Sequence, residues 1–277
     1  MNTPLSLQLA PQRWAVGALL AFFLVQTATA AIAVKSGDKI AFLGDSITEA
    51  GWGNPFGYVR LVLSGLEANQ VKAEAVPAGI SGHKSNDMLA RLQRDVLSKN
   101  PQWMTLSCGV NDVWHGKNGV ALNEAALTGG IYGPEAAARG TYQKNMAAIV
   151  DQARGKGIEI VMLTSTVIHE KLSNPENAKL ALYNDTLRTL AQEKKLRMAD
   201  LNALFQQRLQ AENKPDQMVL TNDGVHMAFE GDKLMARGVL QAMGLNGSQL
   251  KKAEQAWAMA RQAADDAKKA TKAAASK

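Results

Sequence analysis

The sequence predicts an α/β fold in which a parallel sheet of about five strands lies between two layers of helices. Three observations point there. Short apolar runs recur along the chain, helix-length amphipathic stretches separate them, and glycines and polar residues gather just after the apolar runs. Strands spaced by such helices pair in parallel through right-handed crossovers, which put helices on both faces of the sheet.

In order, KIAFLGD (39–45) reads as the first strand. PFGYVRLVLSGLEAN (55–69) reads as a helix with Tyr58, Leu61, Val62 and Leu66 on one stripe. VKAEAVPAG (71–79) is the second strand, and SNDMLARLQRDVLSKN (85–100) a helix capped by Ser85 or Asn86. PQWMTLSCG (101–109) is the third strand, followed by the helix GTYQKNMAAIVDQARGKG (140–157), which Gly155 or Gly157 closes. IEIVMLTST (158–166), the strand richest in β-branched residues, is the fourth. PENAKLALYNDTLRTLAQEKK (175–195) is a long helix, LRMADL (196–201) a short fifth strand, and FEGDKLMARGVLQAMG (229–244) the closing helix.

The 277 residues, 46% hydrophobic and 20% charged, suffice for one large domain with a real core. Arg13 precedes the apolar run WAVGALLAFFLVQ, and Ala28 and Ala30 follow in A-x-A spacing. Residues 1–30 therefore read as a signal peptide, too short in its apolar part to span a bilayer comfortably; an uncleaved anchor is the alternative. The expected location is periplasmic or secreted, with no stable membrane insertion after signal removal. A single globular domain would cover 31–246, and 247–277 an Ala/Lys-rich helical tail. That tail, with only Leu250, Trp257 and Met259 to bury, is expected to be a solvated extension; partner binding is the alternative.

The net charge of +6 resides mostly in this tail, where residues 249–277 hold seven Lys/Arg against three Asp/Glu. The main domain is nearly neutral and has no basic groove with interleaved aromatics, so no nucleic-acid partner is expected. Cys108, the sole cysteine, ends an apolar run and reads as a small buried hydrophobe, with no intrachain disulfide to make.

Open parallel sheets bind ligands at the carboxyl ends of their strands. The segments there carry GDSIT, GISGHKS, GVNDVWHG and TSTVIHE. Ser46, directly after the first strand, is a poor nucleophile until a base takes its proton. Of the four histidines (83, 115, 169 and 226), His226 follows Asp223 by three residues in TNDGVHMAFEG. Within one turn that carboxylate can hold Nδ1 and leave Nε2 free toward Ser46. The long, glycine-punctuated connection between Trp114 and Thr141 reads as a lid or substrate wall, or else as a surface insertion.

GDSIT, GISGHKS, GVND and DGVH, in this order, resemble the four sequence blocks of the SGNH/GDSL hydrolase superfamily across residues 37–244, and the wider run is similar to its carbohydrate-esterase-like members. The resemblance implies a three-layer flavodoxin-like fold and ester or thioester hydrolysis with no metal and no cofactor. Carried over by position, it implies Ser46 as nucleophile, His226 as base and then acid, and Asp223 as its partner. It further implies an oxyanion hole from the backbone N–H groups of Ser46 and Gly82 and the Asn111 side chain. Ile47 stands where the family pattern has Leu, and Pro77 where it often has Asn. Asp45 and Asp112 are expected to brace loops as hydrogen-bond acceptors.

His83, His115, Trp52 and Trp114 are candidate substrate contacts, the aromatics for stacking on sugar rings; loop-rim or packing roles are the alternatives. A zinc site from His83, His115 and His226 has no close ligand spacing behind it. The expected function is an exported serine esterase acting on small acyl groups, acetyl above all, carried on a glycan or small molecule. A thioesterase or lysophospholipase, an O-acyltransferase with the same triad, and a non-catalytic glycan-binding protein are the alternatives. The sequence leaves the oligomeric state open.

Overall fold

The computed structural model describes residues 32–214 and 217–275; the expected signal peptide lies outside the described residues. In chain order the elements are β1 (Lys39–Gly44), α1 (Ser46–Gly53), α2 (Tyr58–Ala68), β2 (Glu74–Gly79), α3 (Ser85–Asp95), β3 (Trp103–Ser107), α4 (Val110–Trp114), α5 (Glu124–Thr128) and α6 (Ala136–Arg139). They continue as α7 (Tyr142–Gly155), β4 (Glu159–Leu163), α8 (Pro175–Glu193), β5 (Arg197–Ala199), α9 (Leu201–Glu212), α10 (Phe229–Ala242) and α11 (Gly247–Ala275).

All five strands pair in parallel in the order β2-β1-β3-β4-β5. From β1 the chain steps to the β2 edge and then reverses toward β5. Right-handed crossovers in opposite directions place their helices on opposite faces. Accordingly α3, α7 and α8 form one layer, while α2, α9, α10 and α11 form the other. The strand order turns at β1 and β3, whose carboxyl ends lead to Ser46 and Asn111, so the sheet places both at its topological switch point.

The central strands are buried on both faces: Ile40, Ala41, Phe42 and Leu43 in β1 and all of β3. That explains their unbroken apolar runs. Pro77 sits in the edge strand β2 opposite Phe42, a position where a missing N–H is tolerated.

Three local readings are corrected. The expected helix over 55–69 forms as α2 from Tyr58, but an unexpected helix, α1, precedes it, because Asp45 caps α1 immediately after β1 and its side chain accepts the Ile47 N–H at 3.0 Å. The expected strand through Leu201 stops at Ala199. There Asp200 accepts the Ala203 N–H at 3.1 Å and opens α9, a helix the apolar pattern did not separate.

The tail is the third. The first turns of α11 are part of the core: Leu250, Ala253 and Trp257 are buried, and Trp257 Nε1 donates to the Leu61 carbonyl at 3.0 Å. Ala253 and Trp257 lie against Gly65 of α2, where a Cβ would come within 3.1 Å of Ala253. Only the later turns are solvated, and Met259, expected among the buried residues, is 74% exposed. Among the described residues no helix is long and apolar enough to cross a membrane.

Candidate active site

Ser46, half-buried at the N-terminus of α1, meets His226 across 180 residues of chain: Oγ lies 2.8 Å from Nε2. His226 Nδ1 lies 2.7 Å from Asp223 Oδ2. A carboxylate only accepts, so Nδ1 carries the proton, Nε2 accepts, and the Ser46 hydroxyl donates. Asp223 Oδ1 also accepts the backbone N–H groups of Val225 and His226, at 2.9 and 2.7 Å. Desolvation alone would raise its pKa, but the hydrogen bonds from the His226 side chain and from these two amides outweigh it and hold the carboxyl near 2. The three expected residues are thus connected, with the acid ionised.

The other half of the site is built from the turns after β2 and β3. Gly82 has φ +76, the left-handed region that glycine enters without strain, and a Cβ there would meet open space. Conformation rather than crowding therefore calls for glycine. Among the described residues no acceptor takes the N–H of Ser46 or Gly82. Asn111 is buried; one N–H of its side chain donates to the His83 carbonyl at 3.1 Å, and the amide has a second. Three neutral donors from three strand ends are thus available at one edge of the sheet.

Buried carboxylates brace these turns. Asp112 accepts from the Ser85 N–H at 3.0 Å, the Ser85 hydroxyl at 2.6 Å and Cys108 Sγ at 3.4 Å. Burial raises the Asp112 carboxyl and pushes Asp45 up to about 6, with the nearby Asp112 adding to the latter. Cys108 is buried as expected, and its thiol is pushed far up by desolvation, which makes it a donor to Asp112 and a poor nucleophile.

Two residues not singled out in the sequence organise the site. Arg91, almost fully buried in α3, donates to the Gly44 carbonyl at 2.8 Å, to His83 Nδ1 at 3.0 Å and to Asp95 at 3.1 Å. It shares a stripe with the buried Ser85, Met88 and Leu92, so an arginine on an apolar face was the available signal. Glu170 binds the segment leading into Asp223, some fifty residues on, and no local pattern marks it.

The remaining candidates divide. Desolvation, then the Arg91 cation, lowers the His83 pKa, and its Nδ1 accepts from Arg91, so the ring is neutral with its proton on Nε2. His83 Nδ1 and both nitrogens of His226 are engaged by protein groups, which leaves the imagined zinc site short of ligands. His115 is exposed, with its pKa lowered chiefly by desolvation, and meets Trp114 edge-on at 6.5 Å. Trp114, 36% exposed, follows Asn111 by one helical turn on α4 and shares its face. Trp52 differs: the Arg60 guanidinium covers its ring at 3.4 Å, so one face is already stacked.

The long connection after Trp114 is pinned, not loose. Val120 donates to the Asp112 carbonyl at 3.1 Å and accepts from Tyr183 at 2.7 Å. Arg139 donates to the Gly119 carbonyl at 3.0 Å, and Tyr132 meets Tyr183 at 3.1 Å.

A cavity of about 420 Å³ lies elsewhere, between α10 and α11, lined by Phe229, Lys233, Arg237, Trp257 and Arg261 among others. Its cations Lys233, Arg237, Arg261 and Arg208 are already paired with Glu230, Glu254, Asp265 and Glu212. The reactive groups converge at the open sheet edge instead.

Known proteins resemble this chain in sequence and in fold. The model of the GDSL-like Lipase/Acylhydrolase family matches residues 42–234. An acetylxylan esterase from Geobacillus stearothermophilus is 26% identical over 223 residues, covering 76% of this chain and 96% of the relative. The crystal structure of the acetyl xylan esterase AlAXEase superposes with a TM-score of 0.62 at 30% identity, covering 74% of this chain and 98% of that one. LAE5, an alpha/beta hydrolase enzyme from the metagenome of Lake Arreo, Spain, superposes with a TM-score of 0.63 at 26% identity, covering 77% and 98%. The chain belongs to the GDSL-like lipase/acylhydrolase family and is a serine hydrolase of carboxylic esters.

Proposed function

We propose that the protein removes small acyl groups, acetyl in the first place, from carbohydrate through a covalent acyl-Ser46 intermediate. The observation that carries this reading is the hydrogen-bonded run from Ser46 through His226 to Asp223. Ser46 Oγ attacks the ester carbonyl as Nε2 of His226 takes its proton, and the negative charge passes to the carbonyl oxygen. The N–H groups of Ser46 and Gly82 and the amide of Asn111 receive that charge; donors aimed in advance cost no reorganisation at the moment of reaction. The imidazolium then gives its proton to the departing sugar hydroxyl. Water, deprotonated by the same Nε2, releases the acid and restores Ser46. Asp223 stays ionised throughout, holding the ring and stabilising its charged form.

The choice of acyl group and carrier rests on three supports. The side chains of Asp223 and His226 are 52% and 36% exposed, so a bulky carrier can sit over a shallow site. The similar proteins include acetylxylan esterases. Trp114, one turn from Asn111, offers an exposed ring on which a sugar can stack. Export belongs to the same reading, supported by Arg13, the apolar run after it, and Ala28 and Ala30.

The test is hydrolysis of p-nitrophenyl esters from acetate to decanoate, with acetate release from acetylated xylan, in wild type and Ser46→Ala. Activity that depends on Ser46, peaks at acetate and extends to the polysaccharide is expected. A maximum at long chains would move the assignment to a lipid esterase or thioesterase. Activity surviving Ser46→Ala would remove the mechanism.

A further inference from the structure

Glu170 lies in the loop after β4, outside all four signature blocks, yet its carboxylate is devoted to the segment before Asp223. Oε2 accepts the Val219 N–H at 2.6 Å. Oε1 accepts the Leu220 N–H at 2.8 Å, the Thr221 N–H at 2.5 Å and the Thr221 hydroxyl at 2.6 Å. Four donors from one short stretch of chain thus converge on this single carboxylate, three of them on Oε1.

The connection continues inward. Thr221 spends its only hydroxyl proton on Glu170 and accepts the Gly224 N–H at 3.1 Å on the same oxygen. Gly224 separates Asp223 from Val225 and His226. Its carbonyl accepts the N–H of His169, the residue beside Glu170, at 2.8 Å. Gly224 has φ +95, and a Cβ there would lie 2.6 Å from His169 Nδ1, so the loop sits directly against residue 169.

The loop is otherwise closed on itself. Thr221 bridges Met227, Asn222 donates its N–H to the His226 carbonyl at 2.8 Å, and its side chain donates to Met227 at 2.8 Å. A small closed hairpin keeps its shape but can pivot as a unit about its stem. Glu170 and His169 grip that stem and turn.

We propose that Glu170 is a positioning residue for the acid–base half of the site: through Thr221 and Gly224 it sets where the Asp223–His226 pair stands relative to Ser46. This rests on the Ser46–His226–Asp223 reading above and adds to it a residue that touches no substrate. A pivot of the hairpin lengthens the Ser46–His226 contact while leaving the acyl and carrier contacts in place. The loss should therefore fall on kcat and spare KM. A misplacement of about 1 Å can cost on the order of 10²-fold in rate.

The experiment is steady-state hydrolysis of p-nitrophenyl acetate by full-length wild type, Glu170→Gln, Thr221→Val and the double variant, with Ser46→Ala as control. Active-site titration counts competent enzyme, and thermal melting reports the fold. Glutamine keeps one acceptor oxygen but turns an amide N–H₂ on the loop amides. The expected result is a fall in kcat per titrated site of about 10–100-fold for Glu170→Gln, with KM little changed. The low-field proton resonance of the His226–Asp223 hydrogen bond should shift or broaden. Because Glu170 and Thr221 act along one path, the double variant should be little worse than the poorer single one.

Wild-type kcat per titrated site in Glu170→Gln overturns the proposal, as does a loss wholly explained by fewer folded molecules. Should Glu170→Gln fail to fold, Thr221→Val decides: reduced kcat at unchanged melting supports the proposal, and unchanged kcat overturns it. Activity in Ser46→Ala would instead bring down the triad reading, a separate failure.

Discussion

Arg91 holds the carbonyl of Gly44: its Nη2 donates at 2.8 Å to the backbone two residues ahead of Ser46. The same guanidinium donates through Nε to His83 Nδ1 at 3.0 Å, and the His83 carbonyl in turn accepts from Asn111. One buried cation therefore links the Ser46 turn after β1, the Gly82 turn after β2 and the Asn111 turn after β3. Lysine carries the charge but not the planar fork that serves three partners at once. Arg91→Lys should lower kcat on p-nitrophenyl acetate by about 10–100-fold with KM little altered. Steady-state rates normalised to titrated sites check this, and a wild-type kcat would contradict it.

Asn111 is the one side-chain donor proposed for the developing oxyanion. Asn111→Ala should cost about 10²–10³ in kcat and leave KM nearly unchanged, because charge on the carbonyl oxygen appears only on the way to the tetrahedral state. A rise in KM at constant kcat would assign Asn111 to ground-state binding instead.

The buried acids make stability depend on pH in a definite direction. Burial lifts Asp232 from the ordinary 3.8 to about 7, and burial lifts Asp45 to about 6. Between those values the folded chain keeps protons that the unfolded chain releases. Their stabilisation is complete below 3.8 and is lost as pH rises through the window toward 7, at up to about 1.4 kcal/mol per pH unit for each proton. The melting temperature should be higher at pH 5 than at pH 8. Asp232→Asn, which retains an oxygen for the Tyr58 N–H that Asp232 accepts at 2.8 Å, should flatten the slope and gain most at pH 8. An unchanged slope would show that Asp232 does not hold its proton. Asp223 runs the opposite way: held near 2, its contribution is present above 3.8 and fades as pH falls toward 2.

Trp257 divides the tail into a structural and a dispensable part. It is 1% exposed and bonded to the Leu61 carbonyl, so Trp257→Ala should destabilise by about 3–5 kcal/mol. Removing residues 268–277 should leave the melting temperature and activity close to wild type. Thermal denaturation of both variants checks this; a harmless Trp257→Ala would contradict the packing described.

The sheet was legible because its signals are local and redundant. Apolar runs such as IAFL and IVML can only be buried strands when helix-length segments separate them, and crossover handedness fixes the rest. Ser46, Gly82, Asn111, Asp223 and His226 were legible because each lies in a motif at the end of a strand or before a helix. Helix α9 was hidden because Asp200 reads equally well as the end of a strand or the cap of a helix. Trp257 was visible as a residue to bury, but the docking of the tail onto α2 was hidden, because its partner, the Leu61 carbonyl, lies 196 residues away and belongs to a helix whose own pattern is already satisfied. Glu170 was invisible for a related reason. A glutamate in a loop reads as solvated until the fold brings unpaired backbone N–H groups against it.

The central claim is that Ser46, activated by His226, carries the acyl group. It is tested most directly by intact-mass and peptide mass spectrometry after incubation with diethyl p-nitrophenyl phosphate, from whose phosphorus a nucleophilic serine displaces p-nitrophenolate to leave a stable diethylphosphoryl-serine. The account predicts one diethylphosphoryl group per chain, located on Ser46, with loss of esterase activity in step with labelling and no labelling in Ser46→Ala. An adduct on another residue that tracks inactivation, or full esterase activity with Ser46 labelled, would contradict it.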